Sequence, residues 1–197
     1  MLYNLGRFLS FVLLKLFCGF RVSGRQFVPA AGGFILATNH ASNVDPLVIG
    51  AASPKPLHFM AKVELFRKPV FSWILRAVHA FPVRRGRGDI HAIREAIRRV
   101  RAGGGLLIFP EGARSADGSI GQGHEGIGFL AEKLNVPIVP AYISGTEKVM
   151  PKGSSRVHPA RVTVRFGEQI LVERRMAHQA VADRIMDEIR RLSCASN

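Results

Sequence analysis

Gly33-Phe34-Ile35-Leu36-Ala37-Thr38-Asn39-His40-Ala41-Ser42-Asn43-Val44-Asp45-Pro46 runs from an apolar segment into a histidine, a carboxylate and a proline. Gly33–Thr38 reads as a buried strand, because its apolar residues are continuous rather than alternating. Asp45 and Pro46 read as the start of a short helix over Pro46–Ala52, since proline is preorganised for the first helical position. About seventy residues later the pattern recurs, with Leu106–Phe109 as a strand followed by Pro110-Glu111-Gly112-Ala113-Arg114-Ser115. In open α/β sheets, sites lie beyond the carboxyl ends of the strands, and both polar blocks fall there.

Outward from this pair, strand and helix signals alternate. Leu57–Ala61 and Ala80–Val83 read as strands, with a helix over Pro69–Val78 between them. Asp89 caps a helix running to Arg101, with Ile90, Ile93, Ile97 and Val100 on one stripe, and Gly103-Gly104-Gly105 ends it. A helix over His124–Leu134 carries Ile127, Leu130, Ala131 and Leu134 on one face. Pro137–Ser144 and Val162–Phe166 are strands, and the last helix carries Val181, Ile185, Ile189 and Leu192. Neither an internal repeat nor a linker appears. The expected fold is a single α/β domain over residues 21–197, a largely parallel or mixed sheet with helices on both faces.

The chain has 197 residues, enough for one such domain with a real core. A net charge of +14 and a pI near 11.2 point to an anionic partner: nucleic acid, an acidic membrane surface or a phosphorylated substrate. Cys18 and Cys194 stand near opposite ends with no metal-ligand spacing, which fits a reducing compartment. Residues 1–20 are rich in Leu, Phe and Val, but Arg7 and Lys15 interrupt them. The run is too short for the ~20 residues that cross a bilayer, and no small-residue cleavage site follows it. It reads as an amphipathic helix in the membrane interface, against the plainer alternative of a helix packed on the core.

An imidazole titrates near neutrality and can take a proton from a hydroxyl. A carboxylate on its other nitrogen fixes the tautomer and stabilises the imidazolium. His40 and Asp45 are five apart, beyond the i+4 neighbour on a helix, so the chain must turn between them. No nucleophile elbow is present, and nothing marks Ser42 as an attacking group. The simplest chemistry is direct attack by a hydroxyl on an activated acyl group. In the second block, Gly112 allows close approach of backbone to a ligand, and Arg114 supplies a bidentate contact to phosphate. Phe81-Pro82-Val83-Arg84-Arg85-Gly86-Arg87 adds a possible phosphate clamp. Taken singly, each has an ordinary reading: a helix cap, a tight turn, a solvated charge run.

Taken in order, these blocks resemble the 1-acyl-sn-glycerol-3-phosphate acyltransferase family of glycerolipid acyltransferases. His40 and Asp45 match its His-x-x-x-x-Asp block, Arg85 the arginine of its Phe-Pro-Val-x-Arg block, and Phe109–Ser115 its Phe-Pro-Glu-Gly-x-Arg-Ser block. Val136–Pro140 matches its Val-Pro-Ile-Val-Pro strand. Met60–Phe66 and Ser144–Glu147 match lesser landmarks, so the resemblance runs from about Arg21 to Gly167. It implies His40 as general base, Asp45 as its orienting partner, and Arg85, Glu111, Gly112 and Arg114 as binders of the glycerol phosphate. It further implies acyl-CoA or acyl-carrier protein as donor, lysophosphatidate as acceptor, no bound cofactor or metal, and a peripheral or monotopic place on the cytoplasmic face of an anionic membrane. Glycerol 3-phosphate and other lysolipids are the alternative acceptors. Two departures stand out: Gly123-His124-Glu125-Gly126 where relatives carry Gly-Lys-Pro-Gly, and His79 where they often carry glycine.

Two rivals compete with this reading. A basic nucleic-acid-binding module would explain Arg94, Arg98, Arg99 and Arg101, but no aromatic stacking platform accompanies them. A catalytically silent lipid binder is opposed by the intact His40, Asp45, Glu111 and Arg114.

Overall fold

A computed structural model describes residues 2–84, 88–115, 118–172 and 176–195. The helices are α1 (Leu2–Cys18), α2 (Asp45–Ala52), α3 (Pro69–Ala77), α4 (Ile90–Arg101), α5 (Gly126–Leu134), α6 (Thr146–Val149) and α7 (His178–Cys194). The strands are β1 (Arg21–Ser23), β2 (Phe34–Thr38), β3 (Leu57–Lys62), β4 (Ala80–Val83), β5 (Gly105–Ile108), β6 (Ile138–Ser144) and β7 (Thr163–Phe166). They form one sheet in the order β1-β7-β6-β2-β5-β3-β4. Every pairing is parallel except β6 with β7.

β2 sits near the middle, between β5 and β6, with all five residues buried. Successive side chains of a strand point to opposite faces. Phe34 and Leu36 therefore enter a core with Val48 and Ile49 of α2 and Leu14 of α1. Ile35 and Ala37 enter a second core with Ala96 of α4, Leu130 of α5 and Ile185 of α7. A strand dry on both sides explains the unbroken apolar run in the sequence.

The expected α/β architecture is present, with three refinements. α4 buries Ala92, Ala96 and Val100. Ile93 and Ile97 only flank that core, and Ile90 is 60 % exposed. Small alanines let the helix approach the sheet closely. Asp89 caps α4 as expected, accepting from the N–H groups of His91 and Ala92. The helix ends in a Schellman motif: Gly103 N–H donates to Val100 O, Gly104 N–H donates to Arg99 O, and Gly103 takes φ +88°. Asp45, by contrast, is not a helix cap. The N-cap position is Val44, and the Asp45 carboxylate reaches back into the preceding loop.

α1 packs one face on the domain and leaves the other exposed. Tyr3, Leu14 and Cys18 are buried, Tyr3 Oη accepts from Leu57 N–H, and Arg7 donates to the Ser53 and Pro54 carbonyls. Its other face carries Leu2, Leu5, Leu9, Leu13 and Leu16, each at least half exposed.

At the amino-terminal edge of the sheet, Arg99 donates to His58 Nδ1 and to the His79 carbonyl, both at 2.9 Å. His79 has φ +65°, in the left-handed region that glycine occupies without strain. Its ring stacks on Tyr3 at 4.5 Å. Burial, then the Arg99 charge, holds the His58 pKa down at about 4 instead of 6.5, and the same two causes lower His79. Glu95 falls from 4.5 to about 2, chiefly through its hydrogen bond from Arg98.

Between about 6.5 and 4 the unfolded chain takes up a proton at His58 that the folded chain refuses. Stability should therefore fall as pH is lowered through that window, with His79 adding to the loss. The Glu95 contribution is then lost from 4.5 down towards 2. Urea unfolding midpoints should drop steadily from neutral to acid, and His58→Gln should flatten the upper part of the curve. Midpoints unchanged down to pH 4.5 would contradict the assignment.

Candidate active site

The carboxyl ends of β2, β5 and β6 meet at one sheet edge, and the site is built from the loops that leave them. His40 lies two residues beyond β2 and is 8 % exposed. Its Nδ1 is 2.8 Å from Asp45 Oδ2, and Asp45 is fully buried. The same oxygen accepts from the N–H groups of Ala41 and Ser42, also at 2.8 Å. One carboxylate oxygen thus folds the loop back on itself, which is how a five-residue gap becomes a direct contact. The imidazole lies flat on Phe109, centroids 3.8 Å apart and planes within 15°. With one nitrogen on Asp45 and one face on Phe109, His40 is held in a single orientation. Its Nε2 has no hydrogen-bond partner among the described residues.

Glu111 links the two loops. Its Oε1 accepts from His40 N–H and its Oε2 from Gly121 N–H, both at 3.1 Å. Ser115 N–H donates to the His40 carbonyl at 2.8 Å. Gly112 takes φ +66°, and a Cβ there would meet His124 Cδ2 at 3.0 Å. The positive φ favours glycine there, and a side chain would also press on the His124 ring. Arg114 is half-buried; its carbonyl accepts from Lys152 Nζ, and its guanidinium has no partner among the described residues. The structure thus brings together His40, Asp45, Glu111, Gly112 and Arg114. Arg85, the remaining expected site residue, lies outside the described residues; Arg84 next to it is exposed, and its N–H donates to Asp89.

Several supporting residues escaped the sequence reading. Asn39 clasps the end of β6, donating to Ile143 O at 3.0 Å and accepting from Ile143 N–H at 2.9 Å. Ser42 is buried and donates to Met150 O at 2.7 Å, which makes it a structural hydroxyl rather than a nucleophile. Phe109 ends a strand and opens a motif in the sequence, but its role as the platform for His40 shows only in the fold. Only long-range contact defines these roles, so local pattern carried no signal for them. Behind the Phe109–Gly112 turn opens a cavity of about 440 Å³, lined mainly by apolar side chains such as Met60, Ile93, Ile127, Phe129 and Leu130. Its size lies within the ~300–1,000 Å³ of small-molecule sites.

Comparison with known proteins identifies the family. The acyltransferase family profile matches residues 19–144. A 1-acyl-sn-glycerol-3-phosphate acyltransferase of Bacillus subtilis is 35 % identical over 135 residues, 68 % of this chain and 67 % of that one. A chloroplastic 1-acyl-sn-glycerol-3-phosphate acyltransferase of Brassica napus is 28 % identical over 158 residues, 79 % of this chain but only 44 % of that protein's length. The crystal structure of the 1-acyl-sn-glycerophosphate acyltransferase of Thermotoga maritima superposes with a TM-score of 0.83 at 26 % identity, covering 99 % of this chain and 81 % of that one. A buried His–Asp pair at the carboxyl edge of the sheet, these sequence relatives and this shared fold agree: the chain belongs to the acyltransferase family, among the 1-acyl-sn-glycerol-3-phosphate acyltransferases.

Proposed function

We propose that this protein transfers a fatty acyl group from an acyl thioester, on coenzyme A or acyl-carrier protein, to the free hydroxyl of lysophosphatidate. The observation that carries the reading is His40, fixed by Asp45 at 2.8 Å and by Phe109 at 3.8 Å, with Nε2 left for a substrate. When Nδ1–H donates to Asp45, Nε2 holds the lone pair that accepts the hydroxyl proton. The acceptor oxygen attacks the thioester carbonyl, and the C–S bond breaks from the tetrahedral adduct. The imidazolium then returns its proton to the departing thiolate. Ser42 and Cys18 are both engaged in the interior, which favours direct transfer over an acyl-enzyme.

Arg114, together with Arg85, is assigned to the acceptor phosphate, where a guanidinium fork matches two oxygens. The relatives' names support a lysophosphatidate acceptor; glycerol 3-phosphate or another lysolipid is the alternative. Glu111 is a strut under the base, since both its oxygens take backbone N–H groups. The apolar cavity beneath the turn suits an acyl chain.

No helix among the described residues is long and apolar enough to cross a membrane. The exposed leucine face of α1 instead supports an interfacial anchor, with Arg7, Lys15 and the net charge of +14 drawn to anionic headgroups. The cytoplasmic face is the side on which a coenzyme A or carrier-protein donor is expected.

His40→Ala should lower turnover by about two to four orders of magnitude, the usual general-base contribution, in a protein that still melts cooperatively but at a lower temperature, because buried Asp45 loses a donor. A folded variant with near-normal turnover would refute the base. Arg114→Lys should raise the acceptor's KM more than it lowers kcat, because a fork becomes a point charge; a change confined to the donor's KM would reverse the assignment. Deleting α1 would strip Tyr3, Leu14 and Cys18 from the core. The cleaner test of the anchor is Leu9→Ser with Leu13→Ser, which should weaken vesicle binding while leaving turnover on a short-chain, soluble acceptor. Full vesicle binding by that variant would leave α1 as a packing element.

A further inference from the structure

The helix α3 is amphipathic in the wrong sense for a water-facing element. At 100° per residue, Val70, Phe71, Trp73 and Ile74 share one arc of about 160°. They are 72 %, 51 %, 61 % and 44 % exposed, and α3 contributes no buried residue at all. Ser72 and Leu75, outside that arc, are half-buried, as is Ala77 at the helix end. Leu65, in the 3-10 turn Val63–Phe66 just before, is a further 44 % exposed. A contiguous apolar surface of this kind marks a contact with something other than water.

Its surroundings decide what that is. Lys62, Arg67, Lys68 and Arg76 are all exposed around it, and Arg76 lies over the Phe66 ring at 5.7 Å. Between residues 55 and 84 the sequence holds six basic residues against Glu64 alone. A second copy of this chain would bring a charge of +14 against +14, whereas an anionic bilayer supplies both the apolar medium and the opposite charge. A tryptophan at such a border is suited to the headgroup level.

The patch lies on the face of the sheet on which α1 docks. α3 leads through Val78 to His79, whose ring stacks on Tyr3 of α1. The connections β2–α2–β3 and β3–α3–β4 step the same way across the sheet, and right-handed crossovers then put α2 and α3 on the same face. α1 docks on that face, packing with α2 in one core.

We propose that α3 and the turn before it form a second lipid-contact surface, which docks on an anionic bilayer beside α1. The Val63–Phe66 turn follows the carboxyl end of β3, the sheet edge that carries His40. Two-point docking would therefore hold the site's mouth to the membrane surface; that consequence rests on the acyl-transfer reading, while the docking itself does not.

Trp73 is the only tryptophan in the chain, so its emission reports on α3 alone. Full-length protein is titrated with phosphatidylglycerol–phosphatidylcholine vesicles, with and without brominated acyl chains. The expected result is a blue shift and quenching by the bromines. Phe71→Ser with Ile74→Ser, both at exposed positions, should weaken vesicle affinity by about tenfold or more, with circular dichroism and turnover on a short-chain acceptor unchanged. Vesicle-bound protein with unshifted, unquenched Trp73 would overturn the proposal and leave α1 as the sole anchor. A blue shift that grows with protein concentration in the absence of lipid would overturn it in favour of self-association. Undiminished vesicle affinity of the Phe71→Ser, Ile74→Ser variant would overturn it as well. Unsubstituted protein that docks with Trp73 shifted and quenched, yet moves no acyl group to lysophosphatidate, would count against the acyl-transfer reading and leave the docking standing.

Discussion

One carboxylate oxygen, Asp45 Oδ2, accepts hydrogen bonds from His40 Nδ1 and from the N–H groups of Ala41 and Ser42. The rest of the site depends on it. A carboxylate with no solvent exposure is costly unless its charge is met by donors. Here the donors are the loop that must be shaped and the imidazole that must be aimed, so compensation of the charge and organisation of the site are the same event. Oδ1 of the same group has no partner among the described residues. The whole compensation therefore falls on one oxygen, and the loop has little freedom to relax without losing several bonds together.

A second layer of contacts ties that loop to its neighbours across the sheet. Asn39 fastens the end of β2 to β6 through both backbone groups of Ile143. Glu111 and Ser115 fasten the β5 loop to the backbone of His40. Phe109, also from β5, supplies the surface on which the imidazole rests. Three parallel strands that meet in the dry middle of the sheet thus present three loops, each hydrogen-bonded to the next. Rigid strands beneath a bonded rim hold the His40 imidazole in place.

Most of this was readable from the sequence, for identifiable reasons. β2 and β5 are apolar without alternation because both faces are covered, and the polar blocks after them mark the carboxyl edge. The faces of α5 and α7 follow directly from helical spacing. What escaped depends on partners distant in the chain. Asp45 reads locally as a helix cap, and only the fold-back of its loop shows otherwise. The stripe of α4 was misplaced because large Ile90 outweighed Ala92 and Ala96 in the pattern, although the tight helix–sheet contact selects the small residues. β1 is too short, at three residues, to show a period, and the antiparallel turn of β7 against β6 leaves no local trace. The stacking of His79 on Tyr3 is visible only in three dimensions.

The molecule is also two-sided. One face of the sheet is closed by α4, α5 and α7, the other by α1 and α2, with α3 beside them and exposed leucines and aromatics outermost. The edge that carries His40 lies between these faces. The most direct test of the account is to offer the purified protein a labelled acyl thioester with lysophosphatidate and, side by side, with the matching monoacylglycerol that lacks the phosphate. Lipid mass spectrometry should find label in phosphatidate, with far less acylation of the monoacylglycerol. Label recovered only as free fatty acid, or shared equally between the two acceptors, would contradict it.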